Sequence, residues 1–271
     1  MPRVKVGDIN IYYEIHGKGE PLVIIPGMTG NVDANFMHIP VFAREYRVVV
    51  FDPRGAGRSD APDIPYTTEM MADDLAGLLD AIGIDSAHIW GSSMGGMIAQ
   101  YFALRYPKRV RSLILACTGF GPTHGVHTTD PEIIEASQHP KALTPEESIK
   151  QTIRLTMSQE FIDKNPGLIK QLMVKWLEHP ASPQGYMRQA QAVTGTETYE
   201  RLPEIKAPTL VIHGSADRTL PVENARILAS RIPGAELVIL EKTGHLFTCE
   251  AFNESNRIML DFLKRHSTKK A

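Results

Sequence analysis

Three residues far apart in the chain have side chains that together could activate a nucleophile. Ser93 stands in Gly91-Ser92-Ser93-Met94-Gly95, which matches the pattern G-x-S-x-G, and Asp217 and His245 follow it in that order. A serine hydroxyl is a weak nucleophile near neutral pH, so it needs a base, and an imidazole base needs a carboxylate to fix its tautomer. The three residue types could therefore supply nucleophile, base and orienting carboxylate for attack on a carbonyl carbon.

The glycines around Ser93 are typical of a sharp turn from a strand into a helix. The motif follows the apolar run at 87–90 and precedes the apolar helical pattern that begins at Met97. In such a turn the residues two before and two after the serine must be small, because larger side chains would collide with the turn. The helix N-terminus then directs free N–H groups toward the hydroxyl. The motif alone leaves a second interpretation open, an ordinary N-cap serine in a tight turn.

The positions of Asp217 and His245 favour the nucleophile. Asp217 lies on the loop after the predicted strand 209–212, and His245 lies on the loop after the predicted strand 236–240. Loops that follow parallel strands gather at one edge of a sheet, which would bring both side chains toward Ser93. Three such residues at one edge are a much rarer coincidence than a single motif.

Two backbone N–H groups are candidates for binding the oxyanion that this attack creates. The first belongs to Met94, which follows the nucleophile. The second belongs to Met28, in the loop Pro26-Gly27-Met28 after the apolar run 22–25, where Gly27 lets the backbone turn inward. The loss of one such donor typically costs about 3 kcal/mol of transition-state stabilisation.

The elements that must position these residues alternate between short apolar runs and amphipathic stretches. Unbroken apolar runs of four residues are typical of strands that are covered on both faces. The chain therefore predicts an α/β fold with an open, mostly parallel twisted sheet and helices on both faces. The predicted strands are 4–7 and 9–15, which form a hairpin, and 22–25, 48–51, 87–90, 113–116, 209–212 and 236–240.

The alternation stops between residues 119 and 203, where no convincing strand is found. This region contains helix-like stretches, among them 145–157, 161–163 and 168–177. We therefore predict a core domain of residues 1–118 and 204–271 and a helical cap insertion of residues 119–203.

Composition excludes several classes of protein. The 271 residues carry a formal net charge of −2, which argues against a nucleic-acid partner. No apolar stretch approaches the roughly 20 residues that span a bilayer, and no apolar signal core begins the sequence, so we expect no membrane association and no secretion. The distant Cys117 and Cys249 are typical of a reducing, cytoplasmic compartment. His124 and His127 have no carboxylate or cysteine at ligand spacing, so we expect no metal and no cofactor.

Several stretches resemble the α/β-hydrolase fold superfamily, and the resemblance covers nearly the whole chain. It implies the serine, acid, histidine order of that fold for Ser93, Asp217 and His245, and a structural role for Arg54 and Arg58. One departure is Pro26-Gly27, where the family usually has His-Gly. The stretches that carry the resemblance are 25–27, Asp52-Pro53-Arg54-Gly55-Ala56-Gly57-Arg58-Ser59, 91–96, 213–217 and 244–245.

Within the superfamily, Ser-Met-Gly-Gly-Met-Ile-Ala-Gln at 93–100 resembles the 3-oxoadipate enol-lactonases and related carboxylesterases. This implies a cofactor-independent serine hydrolase that cleaves a small carboxylic ester or lactone through an acyl-enzyme on Ser93. A carbon–carbon bond hydrolase, a perhydrolase of the same fold and a small-molecule receptor without turnover remain alternatives. A serine at position 93 argues against haloalkane dehalogenases and epoxide hydrolases, which use aspartate. The sequence leaves the physiological substrate and the oligomeric state open, and a homo-oligomer is one of the alternatives.

Overall fold

The computed structural model describes residues 2–138 and 143–268. The strands are β1 Arg3–Val6, β2 Ile9–His16, β3 Glu20–Ile25, β4 Tyr46–Phe51, β5 Ala87–Ser92, β6 Val110–Ala116, β7 Thr209–Gly214 and β8 Glu236–Leu240. The helices are α1 Ile39–Phe42, α2 Thr68–Ala81, α3 Met94–Arg105, α4 Pro131–Gln138, α5 Pro145–Thr156, α6 Gln159–Lys164, α7 Pro166–Leu177, α8 Pro183–Thr194, α9 Glu223–Arg231, α10 Phe247–Glu250 and α11 Phe252–His266. Short 3₁₀ helices occupy Val32–Asn35, Pro107–Arg109 and Tyr199–Glu204.

The strands form one sheet in the order β1-β2-β4-β3-β5-β6-β7-β8. Strand β2 runs antiparallel to both of its neighbours, and the remaining pairs, from β4 and β3 through to β8, are parallel. The prediction of an open, mostly parallel sheet is confirmed. The C-terminal ends of β3, β5, β7 and β8 consequently lie at one edge, which is where ligands bind in sheets of this kind.

The apolar strand residues divide between two cores, one on each face of the sheet. In β3, Val23 and Ile25 belong to one core and Leu22 and Ile24 to the other, and all four are at most 1% exposed. Helices α2, α3 and α9 cover the first face, and α1 and α11 cover the second. Because each strand is buried on both sides, its sequence is continuously apolar rather than alternating.

Buried ion pairs hold the loop that follows β4. The fully buried carboxylate of Asp52 accepts hydrogen bonds from the backbone N–H groups of Val32, at 2.7 Å, and Arg58, at 2.8 Å. Arg54 is 2% exposed and donates to both carboxylate oxygens of Asp74, at 2.6 and 2.7 Å. The guanidinium group of Arg58 also donates to Asp52, at 2.8 Å. Both guanidinium groups are therefore occupied by neighbouring parts of the fold, and Asp52 ties this loop to the one after β3.

Helices α4 to α8 and one 3₁₀ helix lie between β6 and β7, and the described residues of this segment include no strand. Helix α8 was not among the stretches that the sequence singled out. Its buried positions include Gly185, Gln189 and Ala192, so its inward face lacks the large apolar side chains by which an amphipathic helix is recognised.

His38 makes the stability of this fold depend on pH. The ring packs edge-on against Trp90 of β5 with centroids 5.3 Å apart, and its Nδ1 lies 3.2 Å from the side-chain oxygen of Asn256. Complete burial lowers the pKa of His38 from 6.5 to about 4, because a charged imidazole would lose its hydration there.

We predict that the free energy of unfolding decreases by about 3 kcal/mol through His38 alone as the pH falls from about 6.5 to 4. In that window the unfolded chain binds a proton at this ring and the folded protein does not. Urea unfolding at several pH values, with the unmodified protein and His38→Gln, measures the difference. Parallel pH profiles for the two proteins would contradict the prediction.

Candidate active site

Ser93 follows β5 at the turn into α3, and its backbone adopts an unusual conformation. Its φ of 54° and ψ of −121° lie outside the regions that non-glycine residues favour. Hydrogen bonds hold this geometry: the Ser93 N–H donates to the carbonyl of Ala116 at 2.9 Å, and its carbonyl accepts from the Gly96 N–H and the Thr118 hydroxyl, at 2.9 and 2.7 Å. The serine is therefore fixed between β6 and the first turn of α3.

The glycines on either side of Ser93 have no room for a side chain. A Cβ on Gly91 would lie 2.2 Å from the carbonyl oxygen of Gly95, and a Cβ on Gly95 would lie 2.2 Å from that of Ile25. These distances are far below van der Waals contact with backbone atoms that cannot move freely. The spacing of the motif thus has the steric cause that the sequence suggested. A Cβ on Gly27 would lie 3.2 Å from the Ser93 Cβ, so the loop after β3 passes close to the serine.

Asp217 and His245 are brought together at the same edge of the sheet. The Nδ1 atom of His245 lies 2.7 Å from Oδ2 of Asp217, and both residues are buried. The other carboxylate oxygen, Oδ1, accepts hydrogen bonds from the N–H groups of Thr219, at 2.8 Å, and Leu220, at 2.9 Å. Because the carboxylate occupies Nδ1, the Nε2 atom of His245 is the one left for a substrate or a nucleophile.

His213 is a second histidine on the same carboxylate, and the sequence analysis did not identify it. Its Nε2 lies 3.0 Å from Oδ2 of Asp217 and 2.9 Å from the carbonyl oxygen of Leu220. Since both neighbours accept hydrogen bonds, Nε2 carries the proton. The available signal was its position at the end of β7, four residues before Asp217.

Asp217 is held in its ionised form. Burial by itself would raise its pKa, but the field of His245 and the hydrogen bonds from His213 and His245 outweigh burial and hold the pKa of Asp217 well below its usual 3.8. The carboxylate is therefore a permanent partner for the imidazole over the whole range in which proteins usually work.

Ser93 and His245 are not hydrogen-bonded in this structure. Among the described residues, none makes a hydrogen bond to Oγ of Ser93. Rotation of a serine hydroxyl about one bond changes its partner, and such contacts often tighten only when substrate is present. The structure thus shows the contact between Asp217 and His245 formed and the serine fixed by its backbone rather than by its hydroxyl.

The two predicted oxyanion donors belong to the turn at Ser93 and to the loop after β3, which passes close to the serine. Met94 is the first residue of α3, where backbone N–H groups lack partners within the helix. Met28 lies in a turn closed by a 3.0 Å hydrogen bond from the Gly30 N–H to the Gly27 carbonyl. The next residue, Thr29, has a φ of 62°, and its hydroxyl donates to the Met28 carbonyl at 2.6 Å.

One cluster of potential metal ligands in the described residues consists of Asp33, Glu178 and His179. Each carboxylate already has a positively charged or hydrogen-bonding partner. Asp33 lies 3.1 Å from Arg58 and 2.8 Å from Nδ1 of His179, and Glu178 lies 2.8 Å from Lys175. These contacts account for the cluster as a link between α7 and the loop after β3 rather than as a cation site.

The two cysteines are not competing nucleophiles. Both are free and buried, and burial raises the pKa of Cys249 to about 12 and that of Cys117 well above its usual range. A thiol acts as a nucleophile in its thiolate form, which neither residue provides.

The chain belongs to the α/β-hydrolase family of enzymes. The family described as alpha/beta hydrolase fold matches residues 20–153, and that described as TAP-like protein matches residues 173–270. The chain is 34% identical to 2-hydroxy-6-oxononadienedioate/2-hydroxy-6-oxononatrienedioate hydrolase 1 of Dechloromonas aromatica, covering 96% of this chain and 93% of the relative.

Solved structures agree with this assignment. The enol-lactonase from Burkholderia xenovorans LB400 superposes with a TM-score of 0.84 at 24% identity, covering 97% of this chain and all of the lactonase. Est816, an N-acyl homoserine lactone degrading enzyme, superposes with a TM-score of 0.82 at 30% identity, covering 96% of this chain and 100% of Est816. No helix within the described residues is long and apolar enough to cross a membrane. The predicted resemblance and fold class are confirmed.

Gly95→Ala should damage the turn at Ser93. The new Cβ would meet the Ile25 and Pro26 carbonyl oxygens at 2.2 and 2.6 Å, so we expect a loss of stability of at least about 1–3 kcal/mol together with loss of hydrolytic turnover. Urea unfolding and steady-state assays measure both effects.

Gly119→Ala is the matched control. Its added Cβ would have the Met97 and Leu220 side chains as nearest neighbours, at 3.7 and 3.9 Å, which is ordinary contact. We expect its stability to change by less than about 0.5 kcal/mol. Equal behaviour of the two variants would show that the turn at Ser93 is not sterically constrained at Gly95.

Proposed function

We propose that the protein is a serine hydrolase that cleaves a carboxylic ester or lactone of a small molecule through an acyl-enzyme on Ser93. The observation that carries this proposal is the buried 2.7 Å hydrogen bond between Asp217 and His245 at the sheet edge where Ser93 follows β5. The strained backbone of Ser93 is the second support, because a residue is held in such a conformation only where the surrounding structure enforces it.

In the proposed reaction, Nε2 of His245 takes the hydroxyl proton of Ser93 as Oγ attacks the substrate carbonyl carbon. Asp217 stabilises the imidazolium that forms, and the N–H groups of Met28 and Met94 bind the oxyanion. The imidazolium then gives its proton to the leaving oxygen, which departs as an alcohol or, in a lactone, as the free end of the opened ring. A water molecule activated by His245 attacks the acyl carbon, and the acid and Ser93 are released.

Comparison with other proteins supports the ester or lactone class. Est816, named for the degradation of an N-acyl homoserine lactone, is 30% identical to this chain over almost its whole length. Attack on such a carbonyl needs the charged, fixed carboxylate and the tautomer control that Asp217 and His245 provide, and every step uses only side chains, backbone N–H groups and water.

Replacement of Ser93 by alanine tests the nucleophile. We expect the hydrolysis of p-nitrophenyl acetate to fall by about 10³-fold or more in Ser93→Ala, since the acyl-enzyme cannot form. The neighbouring Ser92→Ala, which removes a hydroxyl from the end of β5, should retain most of the activity. A fluorophosphonate should add its mass to the peptide that contains Ser93 in the unmodified protein only. Turnover of Ser93→Ala at the unmodified rate would refute the proposal.

A carbon–carbon bond hydrolase is the second candidate, because the relative from Dechloromonas aromatica is named as a hydrolase of 2-hydroxy-6-oxo acids, which contain a ketone and no ester bond. The same Ser93 and His245 would then act on a ketone, and the leaving group would be a carbon atom that must be protonated. Values of kcat/KM for a panel of esters, lactones and 2-hydroxy-6-oxo-dienoic acids separate the two candidates. We expect an ester or lactone to have the highest value, and a dienoic acid in that place would favour the second candidate.

A further inference from the structure

A glutamine from the helical segment reaches the loop that carries the proposed oxyanion donor. Gln189 of α8 is fully buried, and both ends of its amide are used. Its Oε1 accepts a hydrogen bond from the Thr29 N–H at 2.7 Å, and its Nε2 donates to the carbonyl oxygen of Arg54 at 2.8 Å. One side chain therefore connects α8, the loop after β3 and the loop after β4.

The close packing of α8 against the core fixes the position of the Gln189 backbone. Gly185 lies four residues before Gln189, on the same helix face, and a Cβ there would lie 2.0 Å from the carbonyl oxygen of Gly55. Ala192, on the same face one turn later, is buried in the core that covers this side of the sheet. The helix thus rests directly on the backbone beside Arg54, with Gln189 between two anchored neighbours.

A small change in the backbone at Thr29 would directly affect the proposed oxyanion donor. It has a φ of 62°, which is strained for a residue with a branched side chain, and it directly follows Met28. The amide of Gln189 is the acceptor for the Thr29 N–H, so it holds the peptide plane between Met28 and Thr29. Without it, this N–H would have to find another partner, and the loop could relax toward a less strained conformation.

We propose that Gln189 is a positioning residue for the oxyanion site: its amide holds the Met28–Thr29 peptide so that the Met28 N–H faces the reacting carbonyl oxygen. This inference rests on the proposed function, since it assigns a role in binding the oxyanion. Under it, the helical segment completes the catalytic geometry instead of only covering the substrate. Oxyanion donors need placement within a few tenths of an ångström, which a buried amide that is hydrogen-bonded at both its oxygen and its nitrogen supplies.

The test compares Gln189→Leu with Gln100→Leu. Gln100 is the matched control, because it is also fully buried and its amide also makes two bonds, to the Gly119 carbonyl at 2.8 Å and the Thr198 hydroxyl at 2.6 Å. We expect kcat for p-nitrophenyl acetate to fall by about 10- to 100-fold in Gln189→Leu with KM within about threefold, because the donor acts in the transition state. Gln100→Leu should keep kcat within about threefold of the unmodified value.

The inhibition constant of phenylboronic acid distinguishes a displaced oxyanion donor from general destabilisation of the fold. This acid forms a tetrahedral adduct on an active serine, so its inhibition constant should rise in Gln189→Leu by the same factor as kcat falls, and stay unchanged in Gln100→Leu. Gln189→Met, which keeps the length and flexibility of the side chain, replaces Gln189→Leu if the latter does not fold. Unchanged kcat at position 189, an equal loss in both variants, or a raised KM with normal kcat would each overturn the inference.

Hydrogen–deuterium exchange separates failure of this inference from failure of the proposed function. The peptide covering residues 26–31 should exchange faster in Gln189→Leu than in the unmodified protein or in Gln100→Leu, without any substrate. If the unmodified protein hydrolyses no ester or lactone, the proposed function fails, while faster exchange still supports the hold of Gln189 on the loop. Unchanged exchange in this peptide overturns the inference whatever the activity.

Discussion

The left-handed backbone at Ser93 is the constraint on which the rest of the site depends. A serine with a φ of 54° persists only if its surroundings remove the alternatives, and here three hydrogen bonds from β6, α3 and Thr118 do so. The same turn forces Gly91 and Gly95 to lack side chains and brings the loop after β3 close to the serine. The order of the strands, the spacing of the glycines and the position of the loop after β3 are therefore linked, because each is tied to the backbone conformation of Ser93.

Two buried carboxylates stabilise different parts of this arrangement, and their partners explain the difference. Asp52 accepts backbone N–H groups from two loops and a guanidinium, so it fixes the path of the chain. Asp217 accepts two backbone N–H groups on one oxygen and two imidazoles on the other. A buried carboxylate is costly unless fully hydrogen-bonded, and Asp217 meets that condition while keeping its charge beside His245.

The helical segment is joined to the core at the loop after β3 by polar contacts at both ends of that loop. Gln189 binds the Thr29 N–H, and farther along the loop the side chain of Asn31 donates to the His179 carbonyl at 2.8 Å. His179 also reaches Asp33. A change in the position of this segment would therefore change the position of the backbone beside Ser93.

The sequence by itself determined that the sheet is open and mostly parallel and that glycines flank a sharp turn at Ser93. It also determined the choice of Ser93, Asp217 and His245 as candidates. These features depend on short-range rules: continuous apolar runs, small residues at fixed offsets, and loops that follow parallel strands. The tertiary structure alone decided which polar side chains support them. His213 ends an apolar strand and Gln189 sits in a helix with a weak apolar stripe, so neither differs locally from a structural residue. Their roles arise from partners that folding brings close to them. A contact between residues 160 positions apart, such as that of Gln189 with Thr29, produces no periodic pattern in the sequence.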